Sequence, residues 1–338
     1  MNDSDRNSAV TRALITWFAQ NGKDYPWRRT TDPWAILVSE IMLQQTTIPT
    51  VLARYEAWMR RFPTPAELAL ASEEEALRSW EGLGYYRRVR SLRAAASAVC
   101  ERFGGAFPSE IGELLSLPGI GEYTAGAVRS FAFNLPAPIV DANVSRVLAR
   151  LDNDPTPIDS TEGRKRHWQR ANELLDRENP RLFNSAIMEL GQTYCLPAAP
   201  DCLLCPCREL CRADNPASLP VKTPRPEWIL ETHYDLLCVT PLGVLMEKQA
   251  GGKRHEGMYR LPRRAKADVR GLRPLATQKY GVTRYRITRH LFATGDPDAA
   301  RPGEEWIPLA RVEELPMASP DRKLLRRFLP PVSSPETD

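Results

Sequence analysis

Apolar residues recur at intervals of three and four from about residue 10 to about residue 194, which is the pattern of amphipathic helices. We therefore predict a nearly all-helical region, preceded by a polar stretch at residues 1–10 that we expect to be frayed. Helix starts are marked by Asp32-Pro33, Pro49 and Ser109, and helix ends by Thr46, Pro63 and Pro118.

The pattern changes after a proline-rich stretch at residues 212–227, which predicts an extended linker. From Trp228 onward, short runs of β-forming residues predict a small α+β domain. The predicted strands are Tyr234–Thr240, Val244–Glu247 and Tyr280–Phe292. The predicted organisation is a helical domain at residues 11–194, a cysteine segment at 195–211, the linker, an α+β domain at 228–330 and a disordered tail at 331–338.

Length and composition are those of a globular protein with two ordinary domains: 338 residues, 26% of them charged, and a formal net charge of +4. No stretch approaches the roughly 20 apolar residues that a membrane span requires. The chain also starts without an apolar signal segment, so we expect neither a membrane nor a secreted protein. The small positive excess is weak evidence for a polyanionic partner.

Four cysteines are closely spaced as Cys195-x6-Cys202-x2-Cys205-x5-Cys211. Thiolates packed this tightly can surround one compact metal centre, and an iron–sulfur cluster is preferred because the second Cys-x2-Cys pair of a zinc ribbon is missing. Zinc is the second interpretation. A disulfide framework ranks lower, because the chain has an odd total of seven cysteines.

Glu40 lies in an apolar helix, with Ile36, Leu37 and Leu43 as its neighbours at three and four positions. Desolvation raises the pKa of a carboxyl group, and a general acid that works near neutral pH requires such a shift. A core glutamate that is merely hydrogen-bonded, or paired with an arginine, is an equally good interpretation of Glu40 taken by itself.

Asp141 stands between the extended Pro138-Ile139-Val140 and a helix with an apolar stripe, the position of an N-cap. Amide donors and the helix dipole are expected to lower its pKa there, and a plain structural cap is the simpler interpretation. Together, Glu40 and Asp141 suggest an acid and an anionic stabiliser acting on a glycosidic bond.

Three further segments suggest contacts with a DNA duplex. In Leu117-Pro118-Gly119-Ile120-Gly121, the two glycines allow the backbone amides to approach a phosphate, although a tight turn between helices has the same composition. Gln44-Gln45-Thr46 supplies amide and hydroxyl groups. Gly82-Leu83-Gly84-Tyr85-Tyr86 presents aromatic rings that could wedge between bases; we expect Tyr86 to be packed and leave Tyr85 open.

These segments, with Trp27-Arg28, Glu122-Tyr123-Thr124-Ala125 and Asp141-Ala142-Asn143-Val144, resemble the MutY-type adenine DNA glycosylases. They occur in that family's order over roughly residues 10–215, within the helix-hairpin-helix glycosylase superfamily that also contains the endonuclease III-like enzymes. The resemblance implies a mainly α helix-hairpin-helix fold with a [4Fe-4S] cluster segment, plus a smaller α+β Nudix-like C-terminal domain. It also implies a bacterial-type cytoplasmic monomer that acts at the nucleoid on double-stranded DNA containing mispaired adenine.

The resemblance assigns roles to individual residues. Glu40 would protonate an extruded adenine, Asp141 would stabilise the cation, and Asn143 and Tyr123 would position them. The adenine pocket would be lined by Trp27, Arg28 and Leu43, the duplex would be probed by Gln45, Thr46, Leu83 and Tyr85, and the cluster would be held by Cys195, Cys202, Cys205 and Cys211, with Cys207 as a spare thiol. Relatives that also cut the strand carry a Schiff-base lysine where this chain has Tyr123, so we predict a monofunctional glycosylase.

The chain departs from the family in three places. The cluster loop 196–201 carries no positive charge, which predicts weaker binding to duplex DNA. Ser185 stands where the family often has a longer Gln or Glu facing adenine. The family's Phe-Ser-His loop, which reads 8-oxoguanine, is matched by Ile287-Thr288-Arg289 and then His290, and no Nudix catalytic box is present.

Three functions remain open from the sequence. The preferred one is removal of adenine mispaired with 8-oxoguanine or guanine. A sibling glycosylase with a shifted mismatch preference is the first alternative, and a non-catalytic cluster protein that binds DNA or senses redox state is the second.

Overall fold

The structure is a computed structural model that describes residues 2–224, 227–251, 255–282 and 284–329. It divides into two compact units, one formed by Met1–Leu70 with Ser91–Pro224 and the other by Ala71–Arg90 with Arg225–Asp338. The helices are α1 (Asp3–Asn21), α2 (Pro33–Leu43), α3 (Ile48–Arg61), α4 (Pro65–Leu70), α5 (Glu73–Ser79), α6 (Arg87–Phe103), α7 (Ile111–Leu115), α8 (Glu122–Phe133), α9 (Ala142–Leu151), α10 (Thr161–Leu174), α11 (Pro180–Thr193) and α12 (Ser319–Phe328). The strands are β1 (Ile229–Thr240), β2 (Gly243–Lys248), β3 (Tyr259–Arg260), β4 (Arg263–Arg264), β5 (Ala276–Val282), β6 (Tyr285–Thr294) and β7 (Glu304–Ile307).

The first unit is helical and is organised around α2. Asp32 caps this helix, because its carboxylate accepts hydrogen bonds from the backbone N of Trp34 and Ala35, and Pro33 occupies the first helical position. Since α2 is apolar on nearly all sides, it is buried between α3 and α8. A second core joins α1 to α9, α10 and α11 and includes the cysteine segment.

The predicted frayed N-terminus is wrong for residues 3–10, which form the first half of α1. The Asn2 side chain caps this helix by accepting from the backbone N of Asp5 at 2.8 Å. Arg6 is buried and donates to the carbonyl oxygens of Leu210 and Leu151 and to the carboxylate of Asp152. These partners lie 145 to 204 positions away in the sequence, so no local pattern could have revealed them.

The second unit contains a mixed sheet in the order β3-β2-β1-β6-β5, with β4 paired to β1 and β7 to β2. Strand β1 runs parallel to β6 from the pair Ile229 and Tyr285 to the pair Cys238 and Thr294, and the other pairings are antiparallel. The single strand predicted at residues 280–292 is therefore two strands, β5 and β6. The predicted disordered tail lies outside the described residues.

Residues 71–90 belong to the second unit, although the sequence placed them in the helical domain. The Tyr86 hydroxyl donates to the Met317 carbonyl at 3.1 Å, and Arg322 of α12 forms an ion pair with Glu81 at 3.0 Å. These contacts join segments more than 230 positions apart, which explains why the pattern of apolar residues did not separate this segment from its neighbours. Residues 212–224 of the predicted linker cluster with the helical unit, where Val221 accepts from the backbone N of Ile158.

Across residues 2–224, 227–251, 255–282 and 284–329, the structure contains no helix of sufficient length and apolarity to span a bilayer.

Candidate active site

Glu40 is the central carboxyl group of the helical unit, and α2 holds it in the interior with only 4% of its surface exposed. The Tyr123 hydroxyl, from the first turn of α8, donates to Glu40 Oε2 at 2.7 Å. The pKa of Glu40 is raised to about 7, because burial outweighs the opposing hydrogen bond from Tyr123; the nearby charge of Asp141 also raises the pKa and that of Arg28 lowers it. Glu40 can therefore hold a proton near neutral pH, as a general acid must.

Asp141 is the N-cap of α9, as predicted. Its Oδ1 accepts from the backbone N of Val144 at 2.7 Å, and its Oδ2 accepts from Asn143 Nδ2 at 2.9 Å. The predicted direction of its pKa shift is wrong: burial raises the pKa of Asp141, and the two hydrogen bonds only partly offset this effect. The burial comes from tertiary packing, which the local cap pattern does not report.

Glu40 and Asp141 open into one cavity of about 1050 Å³, which lies entirely within the helical unit. A cavity of this size with a few polar groups on an apolar wall is typical of a ligand site. Ten of the predicted site residues line it besides Glu40: Trp27, Arg28, Leu43, Gln44, Gln45, Thr46, Tyr123, Asp141, Asn143 and Ser185. The structure therefore brings together the predicted acid, the predicted anion and the predicted adenine pocket.

Gln44, Gln45 and Thr46 lie just beyond the end of α2, which stops at Leu43 rather than at the predicted Thr46. Gln45 has a left-handed backbone with φ 54°, so the helix cannot continue through it. Gln44 Nε2 lies 3.4 Å from the Thr124 hydroxyl, which ties this segment to α8.

Arg28 is anchored by Glu189, a residue that the sequence analysis did not single out. Its Nη1 lies 2.6 Å from Glu189 Oε2, and that carboxylate is 1% exposed. The Arg28 guanidinium also lies over the rings of Phe18 and Tyr25, at 5.1 and 4.9 Å from their centroids. Trp27 stacks on Tyr25 at 5.1 Å. A glutamate four residues after Ser185, inside the apolar stripe of α11, is the signal that could have identified this contact.

Arg146 connects the Asp141 region with the cysteine segment. Its Nη2 donates to Asn143 Oδ1 at 2.9 Å and to the Gly191 carbonyl at 2.7 Å, and its Nε donates to the Cys195 carbonyl at 2.8 Å. One turn later, Arg150 donates to Cys195 Sγ at 3.3 Å. Asn143, Arg146 and Arg150 share one face of α9, so the same helix orients Asp141 and supports the first cysteine.

The cysteine segment has the chemistry that a thiolate-bound group requires. Cys195, Cys205 and Cys211 pack, partly buried, against the core that contains Cys207, while Cys202 is exposed. The Arg150 guanidinium on Cys195 is the kind of outer donor that stabilises a metal-bound thiolate. Within the part of the chain that the structure describes, no three His, Cys, Asp or Glu side chains are arranged around one metal ion.

The glycine turn joins α7 to α8 in the helical unit. Gly119 has φ 75°, and a Cβ there would lie 2.5 Å from the Cβ of Ser91, so a side chain at this position would be both strained and obstructed. Gly121 is the N-cap of α8; the residue is exposed and has nothing within 4 Å of its Cβ position.

The other predicted DNA probes lie in the second unit. Tyr85 is 45% exposed, whereas Leu83 and Tyr86 are buried, so of these three side chains only Tyr85 is accessible in this conformation. On β6, Thr288 and His290 are partly exposed; His290 stacks on Tyr234 at 5.7 Å and its Nδ1 lies 3.0 Å from the Thr277 hydroxyl.

Arg289 is not available to DNA, contrary to the prediction. Its guanidinium is 3% exposed and forms ion pairs with Asp235 and with Asp321, the latter at 2.5 Å. Strand alternation places it on the opposite face of the sheet from Thr288 and His290. It is a structural cation of the second unit.

The chain is similar to known DNA repair proteins. Residues 38–172 match the family "HhH-GPD superfamily base excision DNA repair protein". The chain is 43% identical to the human adenine DNA glycosylase over 215 residues, which are 61% of this chain and 39% of that protein. It is 40% identical to the rat adenine DNA glycosylase, over 69% of this chain and 48% of that protein, and 41% identical to the Mycobacterium tuberculosis protein of the same name, over 57% and 64%. The chain thus spans about two fifths to one half of the length of these mammalian relatives.

Solved structures show the same helical fold. A thermostable thymine-DNA glycosylase aligns with a TM-score of 0.57 at 29% identity, over 62% of this chain and 96% of that one. An endonuclease III in a non-covalent complex with DNA aligns with a TM-score of 0.52 at 23% identity, over 63% and 96%. The predicted helical fold with a smaller α+β region is confirmed. The family match that contains Glu40 and Asp141, the similarity to adenine glycosylases and the shared helical fold lead to one assignment: residues 38–172 form an HhH-GPD domain of the kind found in base excision DNA repair proteins.

Proposed function

We propose that the protein is an adenine DNA glycosylase that hydrolyses the N-glycosidic bond of adenine mispaired with 8-oxoguanine or guanine. The observation that carries the proposal is the pair Glu40 and Asp141 in one buried cavity, with Tyr123 bonded to the first and Asn143 to the second. The relatives named adenine DNA glycosylase support the choice of base.

In the proposed reaction, Glu40 donates its proton to a ring nitrogen of the extruded adenine as the bond to the sugar breaks, and the bonding electrons leave with the base. Asp141 stabilises the positive charge that develops on the sugar, because its position is fixed by the Val144 and Asn143 hydrogen bonds before the charge forms. Water then adds to the sugar and loses a proton to the Glu40 carboxylate, which restores the acid.

A covalent lyase step through an amine is not part of the proposal. Tyr123 occupies the position of the Schiff-base lysine of the strand-cutting relatives, and burial raises its pKa well above the ordinary value, so it stays a neutral hydrogen-bond donor. Lys23 lines the same cavity but is exposed. Borohydride treatment during turnover should therefore trap no enzyme–DNA adduct, and a trapped adduct that disappears in Lys23→Ala would contradict monofunctional chemistry.

We infer that Cys195, Cys202, Cys205 and Cys211 hold a [4Fe-4S] cluster, which would supply a rigid support for the segment after α11. The fit is supported by the three thiols packed on one core and by the Arg150 contact to Cys195. Iron and sulfide analysis with visible absorption tests this inference. A colourless protein with stoichiometric zinc would overturn it.

The proposed partner is duplex DNA, bound by a monomer. The exposed glycines Gly119 and Gly121, before the first turn of α8, suit a phosphate, and the partly exposed Thr288 and His290 suit a base opposite adenine. Because loop 196–201 has no positive charge, we expect a shallower dependence of the binding constant on salt than a charged loop would produce.

Single-turnover base release from duplexes with adenine opposite 8-oxoguanine, guanine, cytosine and thymine tests the specificity. We expect release opposite 8-oxoguanine and guanine, with Thr288→Ala and His290→Ala lowering the preference for the lesion. Equal rates with and without the 8-oxo group would favour the sibling glycosylase with a shifted preference. No release from any duplex would leave the non-catalytic DNA-binding protein as the better interpretation.

A further inference from the structure

The loop that carries Tyr85 has an unusual backbone. Gly82, Gly84 and Tyr85 all have positive φ, at 92°, 68° and 47°. Glycine adopts such angles at little cost, but an aromatic residue does so only when its surroundings enforce it. Because the Tyr85 ring is 45% exposed, packing of the ring itself is not enough to hold the backbone in this conformation.

Arg88 and Trp80 stabilise the loop by donating hydrogen bonds to its carbonyl oxygens. Arg88 Nη2 donates to the carbonyl oxygens of Leu83 at 2.8 Å and Gly84 at 3.1 Å, and Trp80 Nε1 donates to the same Gly84 carbonyl at 3.0 Å. The Arg88 guanidinium lies 5.6 Å from the centre of the Tyr85 ring. These contacts fix the turn itself but do not fix the segment to the rest of its unit.

Side chains of Arg322, Tyr86 and Arg90 are among those that attach the segment to the C-terminal part of the chain. Arg322 of α12 donates through Nε and Nη2 to the two carboxylate oxygens of Glu81, both at 3.0 Å. It is 3% exposed, and its remaining donors bind the carbonyl oxygens of Val312 at 2.7 Å and Leu315 at 2.6 Å. The Tyr86 hydroxyl donates to the carbonyl of Met317, directly before α12, and Arg90 donates to Glu256.

We propose that Arg322 is a positioning residue for the DNA-probing loop, so that α12 of the C-terminal region controls the insertion of Tyr85 into the duplex. This inference rests on the proposed glycosylase function. Glu81 lies four positions before Tyr85. Because both carboxylate oxygens of Glu81 accept from the buried Arg322 guanidinium, the position and the orientation of the Glu81 side chain are fixed at the start of the loop. A ring held on a rigid loop loses less freedom when it enters the base stack, so more of its stacking energy is available to extrude adenine.

The chain offers a matched control on the same helix. Arg326 forms an ion pair with Glu313 at 2.8 Å, but its side chain is 64% exposed. The variants are Arg322→Met, which removes both donors, and Glu81→Gln, which removes the negative charge and one of the two acceptor oxygens, with Arg326→Met as the control. If Arg322→Met does not fold, Glu81→Gln still tests the same contact.

Hydrogen exchange of the protein without DNA tests the attachment. The backbone amides of residues 82–88 should exchange about ten-fold faster in both variants and within about two-fold of wild type in the control, since local opening reports local stability. The amides of α8 should be unaffected. Unchanged exchange at residues 82–88 would overturn the proposal, whatever the activity of the protein.

Base release tests the consequence by comparing two substrates. Extrusion of a fully stacked adenine needs the wedge, while a bulged adenine is already largely unstacked. We expect Arg322→Met and Glu81→Gln to slow release from the stacked duplex by about ten-fold and from the bulge by less than about two-fold, with no further loss when Tyr85→Ala is added. An equal loss on both substrates, or full additivity with Tyr85→Ala, would refute the positioning role. Failure of the wild type to release any base would refute the proposed function instead.

Discussion

The substitution Tyr123→Phe tests the claim that Glu40 acts as the acid and that its pKa is set by the groups around it. The phenol donates to the buried Glu40 carboxylate at 2.7 Å and thereby lowers its pKa. Removing the donor leaves only the charge of Arg28 to oppose the effects of burial and of Asp141 on the pKa. The pKa of Glu40 should therefore rise above its wild-type value of about 7.

The size of the shift follows from the strength of the lost bond. A hydrogen bond to a charged group contributes about 1.5–3 kcal/mol, and one pKa unit corresponds to about 1.4 kcal/mol, so the rise should be about one to two units. Because the protonated form is the active one, the rate should stay on its plateau to a higher pH and then decline.

Single-turnover release of adenine, measured with enzyme in excess from acidic to alkaline pH, provides the assay. The control is Tyr55→Phe, because the Tyr55 hydroxyl is also buried but donates to the Ala35 carbonyl at 3.2 Å. The control should leave the inflection in place. An inflection that is unchanged or lowered in Tyr123→Phe would refute the role of this hydrogen bond and of Glu40 as the titrating group.

Three further predictions concern Glu40, Asp141 and Arg289. The pKa of Glu40 is raised from 4.5 in the unfolded chain to about 7 in the folded protein, so the stability that this shift contributes is fully present below about pH 4.5 and is lost as the pH rises through 7. Glu40→Gln should therefore stabilise the helical unit by about 3 kcal/mol more at about pH 8.5 than at about pH 4, as measured by urea unfolding. An effect that does not depend on pH would contradict the shift. Asp141→Asn keeps an N-cap acceptor for Val144, so its melting temperature should be close to that of wild type while base release slows by about 10²–10³-fold; a large loss of stability would identify Asp141 as mainly structural. Arg289→Met should destabilise the second unit by about 3–5 kcal/mol in thermal unfolding, because it removes the buried ion pairs to Asp235 and Asp321 and leaves Asp235 only the longer contact to Arg263 at 3.4 Å. A stable variant with only weakened DNA binding would support the original prediction of a DNA contact.

Local sequence patterns predicted the structure correctly where it depends on interactions within a single helix. Asp32-Pro33 predicts the start of α2, and the apolar neighbours of Glu40 at three and four positions predict its burial, because both depend on one helix. The N-cap position of Asp141 follows from its place before an apolar stripe in the same way. The [4Fe-4S] ligands and the opposite-base contacts stay predictions.

The predictions that failed depend on partners far away in the chain. The sequence around Arg289 is that of a surface cation. Its partners Asp235 and Asp321 lie 54 and 32 positions away and contact it only in the folded protein. The segment with Glu81 belongs with α12 because of Arg322, 241 positions later. Burial of Asp141 by other helices likewise reverses the pKa shift that its cap predicts.

The most direct test of the account is the appearance of free adenine from a duplex with adenine opposite 8-oxoguanine under single-turnover conditions, followed by chromatography. We predict that the wild type releases adenine and leaves the strand intact until alkali is added, and that Glu40→Gln is slower by about 10²–10⁴-fold. Equal release by the wild type and Glu40→Gln would contradict the assignment of Glu40 as the acid on which the mechanism depends.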